Sequence, residues 1–186
     1  MTGSWQVDVS TEGMPQAVAT AFANLNLLGT KYEFIAYLGS QVVNGTNHAV
    51  LAKQIVITDK NTDNIVLIIF NEKNDTLLPV AIERILEDGK TFGGTDVDVQ
   101  TDIPKIAKTA LKISLVGYVG ARVKPFALLG TNMAKGTNYI FAAVLEPAWP
   151  VTEPEVALVI ANPIAGDLRI IDILHSKLTS SLEYVF

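Results

Sequence analysis

Residues Leu38–Val50 read LGSQVVNGTNHAV, and residues Leu129–Phe141 read LGTNMAKGTNYIF. Gly45-Thr46-Asn47 thus returns as Gly136-Thr137-Asn138, 91 residues further on. Holding that spacing without a gap lays 29–86 over 120–177 with thirteen identities in 58 positions, and the apolar run NIVLIIFN (64–71) falls on EVALVIAN (155–162). A period this long marks a duplicated folded unit, since solenoid repeats run to roughly 20–50 residues.

Both copies carry the same order of signals. Pro15 opens QAVATAFANLNLL, where Ala17, Ala21, Leu25 and Leu28 keep helical spacing. Thr101 and Asp102 are capping residues ahead of Pro104 and KIAKTALKISLV. Gly29 and Gly120 are read as the helix stops. KYEFIAYLGSQVV and RVKPFALLGTNMA follow as strands, then a tight turn at Asn44-Gly45 or Lys135-Gly136. Two further strands follow, TNHAVLAKQIVIT and NIVLIIFN in the first copy. The closing segment, LLPVAIERIL or LRIIDILHSK, fits strand or short helix, with strand preferred. The expected class is α+β: two tandem units, each a helix packed on a three- to four-stranded antiparallel sheet, whose other face stays available. Unit one is placed at residues 1–90, a glycine- and acid-rich linker at 91–102, and unit two at 103–186. A glycine inside each first strand, Gly39 and Gly130, marks a bend or a close approach of backbones.

Composition narrows the function. The 186 residues include no cysteine and two histidines, His48 and His175. A disulfide framework, a thiolate metal site and a cysteine nucleophile are therefore excluded. The net charge of −5 and pI near 5.0 argue against a phosphate-tracking nucleic-acid binder. Charged residues make up 18% and the mean hydropathy is +0.32, against about 25% charged for an average domain. Such a surface is either covered by partners or the neutral skin of a large sheet core. The longest apolar runs, Ile65–Phe70 and Tyr139–Leu145, are too short to span a membrane. The opening MTGSWQVDVSTEG has neither a basic start nor an apolar block. It predicts no signal peptide, and hence a chain in the cytoplasm or in a particle assembled there. No catalytic, metal or cofactor constellation emerges. Asp96, Asp98 and Asp102 read as solvated linker, His48 and Tyr139 as equivalent strand positions, and His175 beside Asp172 lacks a nucleophile.

A helix followed by a hairpin reading Gln41-Val42-Val43-Asn44-Gly45 resembles the cystatin superfamily, whose first hairpin carries Gln-x-Val-x-Gly. The resemblance implies cystatin-like units and inhibition of papain-like cysteine proteases by a three-part wedge. The parts are a glycine-bearing N-terminal trunk, for which Gly13 stands here, the Gln41–Gly45 tip, and a second hairpin with Pro-Trp. The second unit, Asn132-Met133-Ala134-Lys135-Gly136, keeps only the glycine of the motif. Pro-Trp is absent, the nearest match being Pro147-Ala148-Trp149-Pro150 in unit two. The candidate partner-binding residues are Gly13, Gln41, Val42, Val43, Asn44, Gly45, Met133, Lys135, Gly136 and Trp149. Gly-Thr-Asn has two readings, turn chemistry alone or a binding tip. The functional expectation is a non-catalytic interaction or structural protein that binds protein partners or itself, as a subunit of a shell, ring or phage-type particle. The alternative is a cystatin-like protease inhibitor.

Overall fold

The computed structural model describes residues 3–25, 28–89, 94–149 and 152–174 and divides into two units at Leu86/Glu87. Unit one runs β1 (Gln6–Ser10), α1 (Gln16–Ala23), β2 (Thr30–Val42), β3 (Thr46–Val56), β4 (Thr62–Lys73) and β5 (Thr76–Glu87). Unit two repeats the order as β6 (Thr95–Gln100), α2 (Lys105–Ser114), β7 (Ala121–Ala134), β8 (Gly136–Pro147), β9 (Glu155–Asn162) and β10 (Asp167–Asp172). Each unit is a five-stranded sheet in plain chain order, β1-β2-β3-β4-β5 and β6-β7-β8-β9-β10.

The expected α+β class is overturned. Of the described residues 60% are strand and 11% helix. The sheets have five strands, not three or four, and each helix is a short link between the first and second strand. The physical reason lies in the apolar pattern. Continuous runs such as Ile65–Phe70 bury both faces of a strand, so strands supply most of the core. On one face Val18 and Phe22 of α1 meet Val50, Ala52, Val66, Ile68 and Phe70, and Ala107 and Leu111 of α2 meet Phe141, Ala143 and Val159. The opposite face, expected to remain available, is apolar and buried as well at Ala49, Leu51, Ile65, Leu67 and Ile69.

Smaller expectations also change. The helices end at Ala23 and Ser114, several residues before Gly29 and Gly120, which instead lead into β2 and β7 with φ of 75° and 157°. Pro15 and Pro104 occupy the N-cap positions, and neither helix has a side-chain cap. The buried stripe of α1 centres on Val18, while Ala17 and Leu28 are exposed. The stretch read as linker contains β6, which pairs with β7 through Val97 and Gly130. The ambiguous closing segments are strands β5 and β10.

Gly39 and Gly130 sit at register shifts of β2 and β7. A Cβ at Gly39 would collide with the carbonyl oxygen of Gln6, and one at Gly130 with that of Asp96. Both glycines therefore let the first strand lie flush against the second, the close approach expected of glycine inside a strand.

Candidate functional site

In unit one the turn Val43-Asn44-Gly45 joins β2 to β3, with Asn44 at φ 44° and Gly45 at φ 110°. Asn and Gly tolerate this region with little strain. Gly45 also faces the backbone carbonyl of Glu72 too closely for a side chain. Antiparallel pairing brings the β4–β5 turn, with Asn74 and Asp75 at positive φ, to the same end of the sheet. Lys73 Nζ donates to Asn44 Oδ1 at 2.9 Å. The chain ahead of β1 arrives there too, where Gly3 N donates to Val42 O at 3.2 Å.

This end therefore gathers Gln41, Val42, Val43, Asn44 and Gly45, but not Gly13. Gly13 lies after β1, in the connection to α1, with its N–H on Ser10 Oγ. Ser10 pairs with Tyr37, five residues down β2 from Val42, roughly 17 Å at strand rise. Gln41 is half-buried and occupied: Nε2 donates to Gly3 O at 2.8 Å, and Oε1 accepts from Asn47 Nδ2 at 3.5 Å. Val42 and Asn44 are the exposed members of the tip.

The repeated asparagines do more than shape a turn. Asn71 Nδ2 donates to Asn47 Oδ1 at 2.7 Å, so amides on β2, β3 and β4 form a ladder just below the tip. Unit two builds the same ladder from Asn132, Asn138 and Asn162, with links of 2.7 and 3.0 Å. Asn162 fills all four of its hydrogen-bonding positions: Nδ2 also donates to Lys135 O, and Oδ1 accepts from Ile164 N and Ala165 N. Asn47, Asn132 and Asn162 are buried. The Gly-Thr-Asn repeat thus has a structural task at its asparagine, locking three strands beneath each hairpin.

In unit two Met133 and Lys135 are exposed at the β7–β8 tip, and Gly136, at φ 92°, packs against Ile164 of the β9–β10 turn. Trp149 is exposed but follows β8 at its opposite end, so it does not join the tip residues. His175 lies outside the described residues.

A polar chain that the sequence did not reveal crosses unit one. Tyr37 Oη lies 3.0 Å from His48 Nδ1, and His48 Nε2 lies 3.2 Å from Glu72 Oε2. The Glu72 carboxylate can only accept, so Nε2 carries a proton and donates to it. Burial pushes the Tyr37 phenol above its ordinary 10.0; a Ser40 hydrogen bond opposes this, and the Asp8 charge adds to it. The folded chain therefore holds that proton more tightly than the unfolded chain. The stability this confers is whole below pH 10 and falls as pH rises through the folded value. Thermal melts at pH 9 and pH 11 should accordingly show a larger alkaline loss for the native chain than for Tyr37→Phe. Equal losses would mean that Tyr37 titrates as in the unfolded chain. In unit two the equivalent positions hold Leu128, Tyr139 and Pro163, so the chain belongs to unit one alone.

No family model, curated protein or solved structure matches this chain. Among the described residues no helix is long and apolar enough to cross a membrane.

Proposed function

We propose that the protein is a non-catalytic subunit of a larger assembly, with copies meeting through the outer strand of unit one. The observation that carries this is β5. Among the described residues it has a strand neighbour on one side only, and Leu78, Val80 and Ile82 leave 59, 54 and 37% of their surface exposed. These three alternate along the strand and so share one face. A row of branched apolar side chains on a sheet edge invites association unless something covers it. Pro79, which cannot donate a hydrogen bond, suits an edge position and disfavours open-ended strand addition. The contact is therefore one of packed side chains. The corresponding strand of unit two, β10, is half as long and carries Arg169 where β5 has Leu78. Ile171 and Ile173 match Val80 and Ile82, but Ile171 is half-buried and Ile173 is buried, so the exposure of the row, not its apolar character, is the feature of unit one. Light scattering over a rising concentration series tests the reading. Masses at multiples of 20.0 kDa are expected, and a chain that stays at 20.0 kDa at high concentration would overturn it.

A second reading, a cystatin-like inhibitor of papain-like cysteine proteases, is favoured by one observation. The segment before β1 and both hairpin turns of unit one converge at one end of its sheet. Val42 is the exposed apolar residue among them, whereas Asn44, Asn74 and Asp75 are polar, and tight contacts need apolar anchors. Titration of papain activity decides it: inhibition that Val42→Glu abolishes would support this reading, and full activity at high protein concentration would remove it.

A further inference from the structure

We infer that unit two carries a second, separate contact site: an apolar groove beside α2 that takes an acidic, amphipathic peptide segment of another protein. The groove is shallow and open, offering about 610 Å³ between α2 and the β8–β9 end of the sheet, with Ile106, Ala110, Ile113, Tyr139 and Pro163 in its lining. That volume lies within the roughly 300–1,000 Å³ typical of concave ligand sites. Ile106 and Ile113 stand 68% and 52% exposed on its helical wall. They lie seven residues apart, on one stripe of the helix, as the anchors of a helix-in-groove contact do.

Charge specifies the occupant. Lys105 lines the groove, and Lys108 and Lys112 continue the same row along α2, all exposed. None of the three makes an ion pair with a described residue. Among the described residues no acidic side chain lines the groove. In a chain of net charge −5, this places cations that have no ion pair to a described residue on the helix that walls the groove, with Lys105 in its lining. A segment with apolar residues at helical spacing and carboxylates on the flank complements both.

The duplication supplies an internal control. Counting from the N-cap prolines, the counterparts of Ile106 and Ile113 are Ala17 in α1 and Asn24 at its C-cap, and those of Lys105, Lys108 and Lys112 are Gln16, Ala19 and Ala23. Unit one builds the same strand and helix order with neither row, so folding does not require them. Two residues of the groove lining, Tyr139 and Pro163, stand where unit one has His48 and Glu72, which are joined by a hydrogen bond.

The test is a selection of random fourteen-residue displayed peptides on the full chain, with the Ile106→Asp/Ile113→Asp chain as counter-selection. Peptides that combine apolar residues at three- and four-residue spacing with Asp or Glu are expected to be enriched. Their affinity should fall about tenfold or more in that variant and in Lys105→Glu/Lys108→Glu/Lys112→Glu, and should weaken as salt rises. All five positions are exposed, and unchanged circular dichroism and melting would show that each variant folds. Failure to enrich any peptide over the counter-selection, or enrichment of neutral or basic ones, would overturn the inference. So would lysine-dependent binding to phosphatidylserine vesicles without peptide binding, which would make the surface a membrane contact. The site is independent of β5, so each proposal stands or falls separately.

Discussion

Gly130→Ala is expected to destabilise the protein by about 3 kcal/mol, near the upper range for overpacking. The added Cβ would run into the carbonyl oxygen of Asp96, with Asp96 C and Val97 Cα each 3.2 Å away. All three are backbone atoms of β6, so no side chain can swing aside, and the strand itself must move. Gly130 needs no left-handed backbone, which makes contact the whole cause. Gly13→Ala is the matched control, because a Cβ there meets nothing within 4 Å. Its stability should stay within about 0.5 kcal/mol of native. Urea melts compare the two, and equal midpoints would show that β6 does not lie against β7 as described.

The second large effect is at Asn162. Asn162→Leu removes four hydrogen bonds from a buried position and leaves Lys135 O, Ile164 N, Ala165 N and Asn138 Oδ1 without that partner. Buried polar groups left unsatisfied cost about 1–3 kcal/mol each, less where water reaches them. With the turn beside solvent, a loss of about 3 kcal/mol is expected. Asn71→Leu, at the matching place in unit one, breaks one amide link from a half-buried residue and should cost about 1 kcal/mol. Equal losses in the two variants would refute the assignment of Asn162 as the keystone of its ladder.

The duplication was legible because the matched glycines and asparagines are constrained by backbone and amide chemistry that tolerates few substitutes. The hairpin glycines Gly45 and Gly136 are where the turn signals put them, at positive φ. The first strand of each unit was missed although both contain Val-Asp-Val, at 7–9 and 97–99. That repeat runs at 90 residues, one short of the spacing used for the rest, so an ungapped alignment passes over it. The helices misled differently. Stretches of eight and ten residues cannot contain the longer periodic patterns read into them, and Leu28 ended exposed beyond α1.

The sites were less legible for a geometric reason. Gln41, chosen as a binding residue, spends its amide on Gly3 and Asn47, a role set by strand register. The asparagine ladder joins residues 24 apart in sequence. The α2 groove draws on three separate segments, so no window of sequence contains it. The row Leu78, Val80 and Ile82 was plainly apolar; only its place at a sheet edge makes it a contact candidate.

A single cysteine reports most directly on whether copies meet through that edge, because the native chain has none. Val80→Cys places a thiol in the centre of the exposed row, and Thr58→Cys places one on the exposed β3–β4 connection. Under mild oxidation at a concentration where the protein associates, Val80→Cys should convert rapidly to a species of twice 20.0 kDa, while Thr58→Cys stays monomeric on that timescale. Cross-linking of both variants at the same slow rate would contradict assembly through β5.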